Sequence, residues 1–114
     1  MKTNQHLINI GSDFSTAPGP RLIKEGKCSG EEFRKNTLYP KLAKAIEEGA
    51  QLIVVLDGTS GFGTSFLEEA FGGLIRENNL TLSCIEKHLL IVSEEDPDYL
   101  EEIELYLKDA EDEE

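Results

Sequence analysis

Gln51-Leu52-Ile53-Val54-Val55-Leu56-Asp57-Gly58-Thr59-Ser60-Gly61-Phe62-Gly63-Thr64-Ser65 decides how this chain folds. The uninterrupted aliphatic run Leu52–Leu56, β-branched at its centre, is the pattern of a strand covered on both faces. Asp57-Gly58 ends that strand, and a loop follows with glycine at 58, 61 and 63. A helix then begins. Ser65 with Glu68 has capping-box spacing, and Leu67, Ala70, Phe71, Leu74 and Ile75 recur on one helical face as far as about Asn78. A strand, a glycine loop and a helix in this order bring free backbone N–H groups and the positive end of a helix dipole to one point.

The flanking segments repeat the alternation. Upstream, His6–Ile10 reads as a first strand, residues 11–20 as a Gly/Pro loop, and Arg21–Lys24 as a second short strand. Ser29 with Glu32 is another capping box, and Pro40 predicts a kink or break near Leu38-Tyr39, since it lacks an N–H and crowds the preceding turn. Leu42, Ala45, Ile46 and Gly49 supply an apolar face and a stop. Downstream, Leu80–Glu86 fits no single period, and Leu89–Val92 is a strand. Asp96-Pro97 opens a last helix with Tyr99, Leu100, Ile103, Tyr106 and Leu107 on one side. Carboxylates at 111–114 sit at the unfavourable end of its dipole, so the expectation is an α/β domain over residues 1–109 and a disordered acidic tail over 110–114.

The 114 residues suffice for one core, and their net charge of −12 is unevenly placed. Residues 94–114 carry twelve acidic side chains and one lysine, leaving residues 1–93 close to neutral. Such an end repels phosphate backbones, which argues against nucleic acid and for a basic protein surface if it is read at all. The apolar runs are far shorter than the roughly 20 residues of a membrane span, and no signal core is evident, so a cytoplasmic chain away from membranes is expected. Cys28 and Cys84 lack metal-like spacing and are expected as free thiols; no cofactor is implied.

The glycine loop invites several chemistries. Gly58, Gly63 and Ser65 fit a nucleotide P-loop except that Thr64 replaces the lysine that neutralises phosphate. Gly61-x-Gly63 followed by Phe66 is a poor dinucleotide fingerprint. Asp57 at a strand end suits a phospho-accepting receiver, but the acidic pair and the lysine such a site needs are missing; its alternative role is a turn residue. No G-x-S-x-G elbow or assembled acid–base–nucleophile set is present, which argues against an enzyme. What remains is a hydroxyl, Ser65 or its neighbour Thr64, at a helix start where phosphate is electrostatically favoured, or simply an N-cap.

Gly19-Pro20-Arg21, Ser29-Gly30-x-x-Phe33-Arg34, Leu52–Gly58 and above all Ser65-Phe66-Leu67-Glu68-Glu69-Ala70-Phe71-Gly72-Gly73-Leu74 resemble the STAS-like domains of unknown function, across roughly residues 18–107. The resemblance implies a STAS-like single α/β domain with about a four-stranded mixed sheet and helices packed on it. Better-known STAS domains, the anti-anti-sigma factors, switch protein partners when an ATPase-type kinase phosphorylates a serine at the start of the helix after the central strand. That position corresponds to Ser65 or Thr64, although this chain has no aspartate before the hydroxyl and no glycine after the pair. The implied function is a non-enzymatic regulatory domain whose first partner to test is a histidine-kinase-like ATPase; the alternative is a small-ligand or nucleotide sensor built on loop 58–63. Candidate contact residues are Arg21, Asp57, Gly58, Gly61, Phe62, Gly63 and Phe66. Arg21 either forks onto an anion near the loop or pairs with Asp13 or Glu25. Phe62 and Phe66 are possible aromatic anchors for a partner, and Gly72-Gly73 would permit a homodimer through close helix approach.

Overall fold

A computed structural model describes residues 5–113. Strand β1 (Gln5–Asn9) leads into a single helical turn, α1 (Ile10–Asp13), and a long loop holding a 3-10 turn at Ile23–Glu25. Helix α2 covers residues 30–48, strand β2 is Gln51–Val55, and helix α3 covers residues 64–76. Helix α4 (Leu82–His88), strand β3 (Leu89–Val92) and helix α5 (Asp98–Glu113) complete the fold. The strands form a three-stranded, all-parallel sheet in the order β1-β2-β3.

This corrects the expected four-stranded mixed sheet. Residues 21–24 never reach a sheet edge, because their backbone is tied to the start of α2 instead. Gly30 donates to the Pro20 carbonyl and Glu31 to the Arg21 carbonyl, both at 2.9 Å, while the Leu22 and Ile23 amides go to the carboxylates of Glu25 and Glu31. With those groups satisfied locally, no ladder is left to build.

Alternating side chains give the sheet two unlike faces. Ile8, Leu52 and Val54 are buried against the helices, in one core with Phe33, Leu38, Leu42, Phe66, Phe71, Leu74 and Ile103. Each such side chain contributes roughly 1.5–3 kcal/mol by leaving water. The other face, with Ile53 and Val55 only half-buried and Leu7 and Leu90 exposed, lies outside that core. The aliphatic run at 52–56 is therefore covered on one side, not two.

Pro40 is accommodated where the break was expected. Helix α2 widens into a π-turn at Arg34–Leu38 and returns to α geometry at Tyr39, so the proline, which lacks an N–H and crowds the preceding turn, follows directly on the widened part of the helix. Helix α3 has a matching π-turn at Glu68–Gly72, packed against the first. The ambiguous segment before β3 is helical: the Thr81 hydroxyl accepts the Cys84 amide at 3.2 Å and caps α4. Helix α5 passes the point where the sequence suggested a tail. Ala110 is buried, and the Glu111 carboxylate accepts the Leu82 amide at 3.1 Å, which anchors the helix to α4 despite the dipole. Among the described residues no helix is long and apolar enough to cross a membrane.

Candidate functional site

In a parallel sheet all strands end on the same side, so the loops after β2 and β3 meet. Asp57 joins them. Its carboxylate accepts the backbone amides of Glu94 at 3.1 Å and Glu95 at 2.8 Å, and the Glu95 carboxylate returns a contact by accepting the Gly58 amide at 3.0 Å. Asp57 is thus a turn residue, but it bonds the loop after β3 and not its own. Both of its oxygens are engaged.

The glycine loop is held from both flanks. Gly58 and Gly61 have φ of +86° and +122°, which favours glycine at both positions. Ser60 donates its amide to the Thr16 carbonyl at 2.7 Å, Gly61 to the Thr59 hydroxyl at 3.3 Å, and Phe62 to the Tyr99 hydroxyl on α5 at 3.1 Å. Four of the amides that would cradle a phosphate, at 58, 60, 61 and 62, are therefore committed within the chain. A cleft of about 180 Å³ between the two loops is lined by Asp57, Glu95 and Asp96 together with Ser60, Ser93 and Tyr99. Its sign is wrong for an anion.

Phe62 stands half-buried, edge-on to Tyr99 at 5.3 Å and 5.4 Å from Phe66. Phe66 is fully buried among Phe14, Phe33 and Phe62, so it is a core residue and offers a partner no surface. Gly63, Thr64 and Ser65 follow as an exposed run at the head of α3. Gly63, not Ser65, is the N-cap, and no side-chain cap is formed. The capping box expected from Ser65 and Glu68 does not form: the helix starts at Thr64, so Ser65 lies within its first turn, and Glu68 is bonded to arginines. Among the described residues neither the Thr64 nor the Ser65 hydroxyl has a hydrogen-bond partner.

One turn further on lies an ion network that the sequence reading placed elsewhere. Arg21 pairs with neither Asp13 nor Glu25. Its guanidinium donates to Glu68 at 2.6 Å and lies 3.4 Å from Glu69. Arg76 also binds Glu68, and Arg34, almost fully buried, donates to the Glu69 carboxylate at 2.9 Å, the Glu69 carbonyl at 3.2 Å and the Asn78 side chain at 3.0 Å. Burial works against the charge of Glu68, but hydrogen bonds from Arg76 and Arg21 outweigh it and hold the carboxyl below its ordinary range. The same bonds raise both arginines further. Gly72 and Gly73 face this network: a Cβ at Gly73 would lie 2.5 Å from Arg34 Nε. Both glycines are buried and make room for these side chains within the chain.

Thr64, Ser65, Gly63, Gly58, Gly61, Asp57 and Phe62 are thus brought together, while Arg21 belongs to the network and Phe66 to the core. Tyr99, Glu95 and Asp96 complete the site from some 37 residues downstream. No local motif marks them; the parallel topology alone places them there. A family model described as a STAS-like domain of unknown function matches residues 29–99, from the cap of α2 to the first turn of α5. No curated protein and no solved structure matches the chain.

Proposed function

The chain belongs to the STAS-like domains of unknown function, and from that premise we propose that it is a non-enzymatic regulatory domain that binds a second protein through the head of α3 and the adjoining loop 58–63. The observation that carries this reading is the exposure of Gly63, Thr64 and Ser65, with two uncommitted hydroxyls, on a mount that is otherwise pinned. Asp57, Tyr99 and the aromatic cluster hold the loop from three sides, so a partner meets a preformed surface and little ordering entropy is lost. Phosphate on Ser65 or Thr64 would add about −1.5 to −2 charge at the positive end of the helix and change what the partner reads. An ATPase of the histidine-kinase-like type is the proposed partner and modifier. The committed amides and acidic lining of the neighbouring cleft weigh against nucleotide sensing there.

Co-purification of the chain with such an ATPase, with and without ATP, followed by intact-mass measurement, tests the reading. A complex lost on Ser65→Asp and a mass increase absent from the double variant T64A/S65A are expected. No complex and no added phosphate would remove the switch.

A further inference from the structure

The outer face of the sheet carries information that the loop site does not use. The strand registers place Leu7, Ile53 and Leu90 in one row across all three strands, and Asn9, Val55 and Val92 in the next. Leu7 and Leu90 are 56% and 48% exposed, and none of the apolar members joins the core. The same face carries the glutamines at 5 and 51, and among the described residues the three strands place no charged side chain on it, although 30% of the residues in the chain are charged. Parallel sheets are almost always covered on both faces, because their strands are apolar on both.

We propose that this face binds a second copy of the chain, sheet packed on sheet. Three features select that occupant. The Leu7–Ile53–Leu90 row reads the same from either end, so a two-fold axis parallel to β2, lying between the two sheets over Ile53, sets Leu7 of one copy on Leu90 of the other and Ile53 opposite Ile53. A charged partner finds nothing on the face to pair with, whereas a second copy brings an equally uncharged surface. The acidic helix α5 packs on α3 and α4, in the layer behind the sheet, so a face-to-face pair keeps the two strongest concentrations of like charge on its outer sides. Three strands spaced about 4.8 Å apart and four to five residues long give a patch of at most about 15 Å by 17 Å, which is small for an interface, so the association is weak and depends on concentration.

Sedimentation equilibrium of the full chain, from about 10 µM to about 1 mM, spans the affinities expected of such a contact. The weight-average mass should climb toward twice the monomer value, and the climb should begin at lower concentration when salt screens the net charge of −12. Leu90→Lys and Leu7→Lys should each shift the dimer midpoint upward at least tenfold while keeping the wild-type circular dichroism spectrum. Leu105→Lys, at an exposed position on α5 outside the face, should leave the midpoint where it was. If a lysine variant unfolds, Leu7→Asn and Leu90→Asn give the same comparison. A chain that stays monomeric throughout, or a dimer indifferent to every substitution at positions 7 and 90, overturns the proposal. Neither result bears on the Ser65 surface.

Discussion

Arg34 grips Glu69 at two places: its Nε donates to the Glu69 main-chain carbonyl at 3.2 Å and its Nη2 to the carboxylate at 2.9 Å, with both residues buried. The pair ties the π-turn of α2 to that of α3. Removing Arg34 takes from the buried Glu69 carboxylate its nearest counterion and leaves only the longer contacts to Arg21 at 3.4 Å and Arg76 at 3.8 Å. Arg34→Met should therefore lower the unfolding free energy by about 3–5 kcal/mol. In urea titrations the double variant R34M/E69L should be no less stable than R34M alone, since it leaves no buried carboxylate deprived of its closest partner. Additive losses in the double variant would show that the two residues act separately.

The two adjacent glycines make unequal demands. An added methyl at Gly73 meets the middle of the buried Arg34 side chain, at 2.5 Å from Nε and 2.9 Å from Cδ. At Gly72 it meets the ends of two flexible side chains, the Glu68 carboxylate at 2.7 Å and Arg76 Nη1 at 3.0 Å, which are bound to each other and can shift together. Gly73→Ala is expected to cost about 1–3 kcal/mol as overpacking. Gly72→Ala should be near neutral, because alanine's better helix propensity, worth about 1 kcal/mol, offsets the adjustment. Thermal unfolding that ranks the two in the opposite order would contradict the geometry.

Glu68 gives the network a pH signature. Its folded pKa is depressed, so its contribution is present above the unfolded value of about 4.3 and is lost as the pH falls through the lower folded value. The wild-type chain should therefore lose stability as the pH falls below about 4.3 and through the depressed folded value of this partly solvent-screened site. Arg76→Met removes the second-largest influence on that carboxyl and should flatten this part of the acid limb. Melting temperatures of both proteins, measured at half-unit pH intervals, would show the difference. An unchanged slope would mean that Arg76 does not set the Glu68 titration.

The parts of the fold legible in the sequence were those set by local periodicity and by backbone chemistry. The run at 52–56, Pro40, Gly49 and the Ser29 cap each act within a few residues, and each stands where expected. Two kinds of feature were not legible. A strand's burial on one or both faces depends on which helices cross it, and an aliphatic run looks the same in either case. The choice of partner for Arg21, Arg34 and Arg76 depends on contacts 8 to 48 positions away, and nothing near those residues specifies it. Arginine close to a Gly-Gly pair in an apolar helix was the available hint. At the site, the head of α3 was found from strand–loop–helix order alone, but Tyr99 and Glu95 required the strand order.

Ser29 and Ser65 have the same capping-box spacing in the sequence and different roles in the structure. The Ser29 hydroxyl is buried and accepts the Glu32 amide at 3.0 Å, as an N-cap should. Ser65 lies inside the helix head behind Gly63, exposed, with Glu68 turned toward Arg21 and Arg76. Ser29→Ala should then cost about 1 kcal/mol, and up to about 2 because the site is buried. Ser65→Ala should stay within about 0.5 kcal/mol of wild type, like any substitution of an exposed, unbonded hydroxyl. Chemical denaturation of the two variants side by side measures both. A loss at Ser65 as large as that at Ser29 would mean that the hydroxyl is occupied with holding the helix and is not free for a partner. Equal stability with wild type makes Ser65→Ala a clean probe, because any change in partner binding then belongs to the surface and not to the fold.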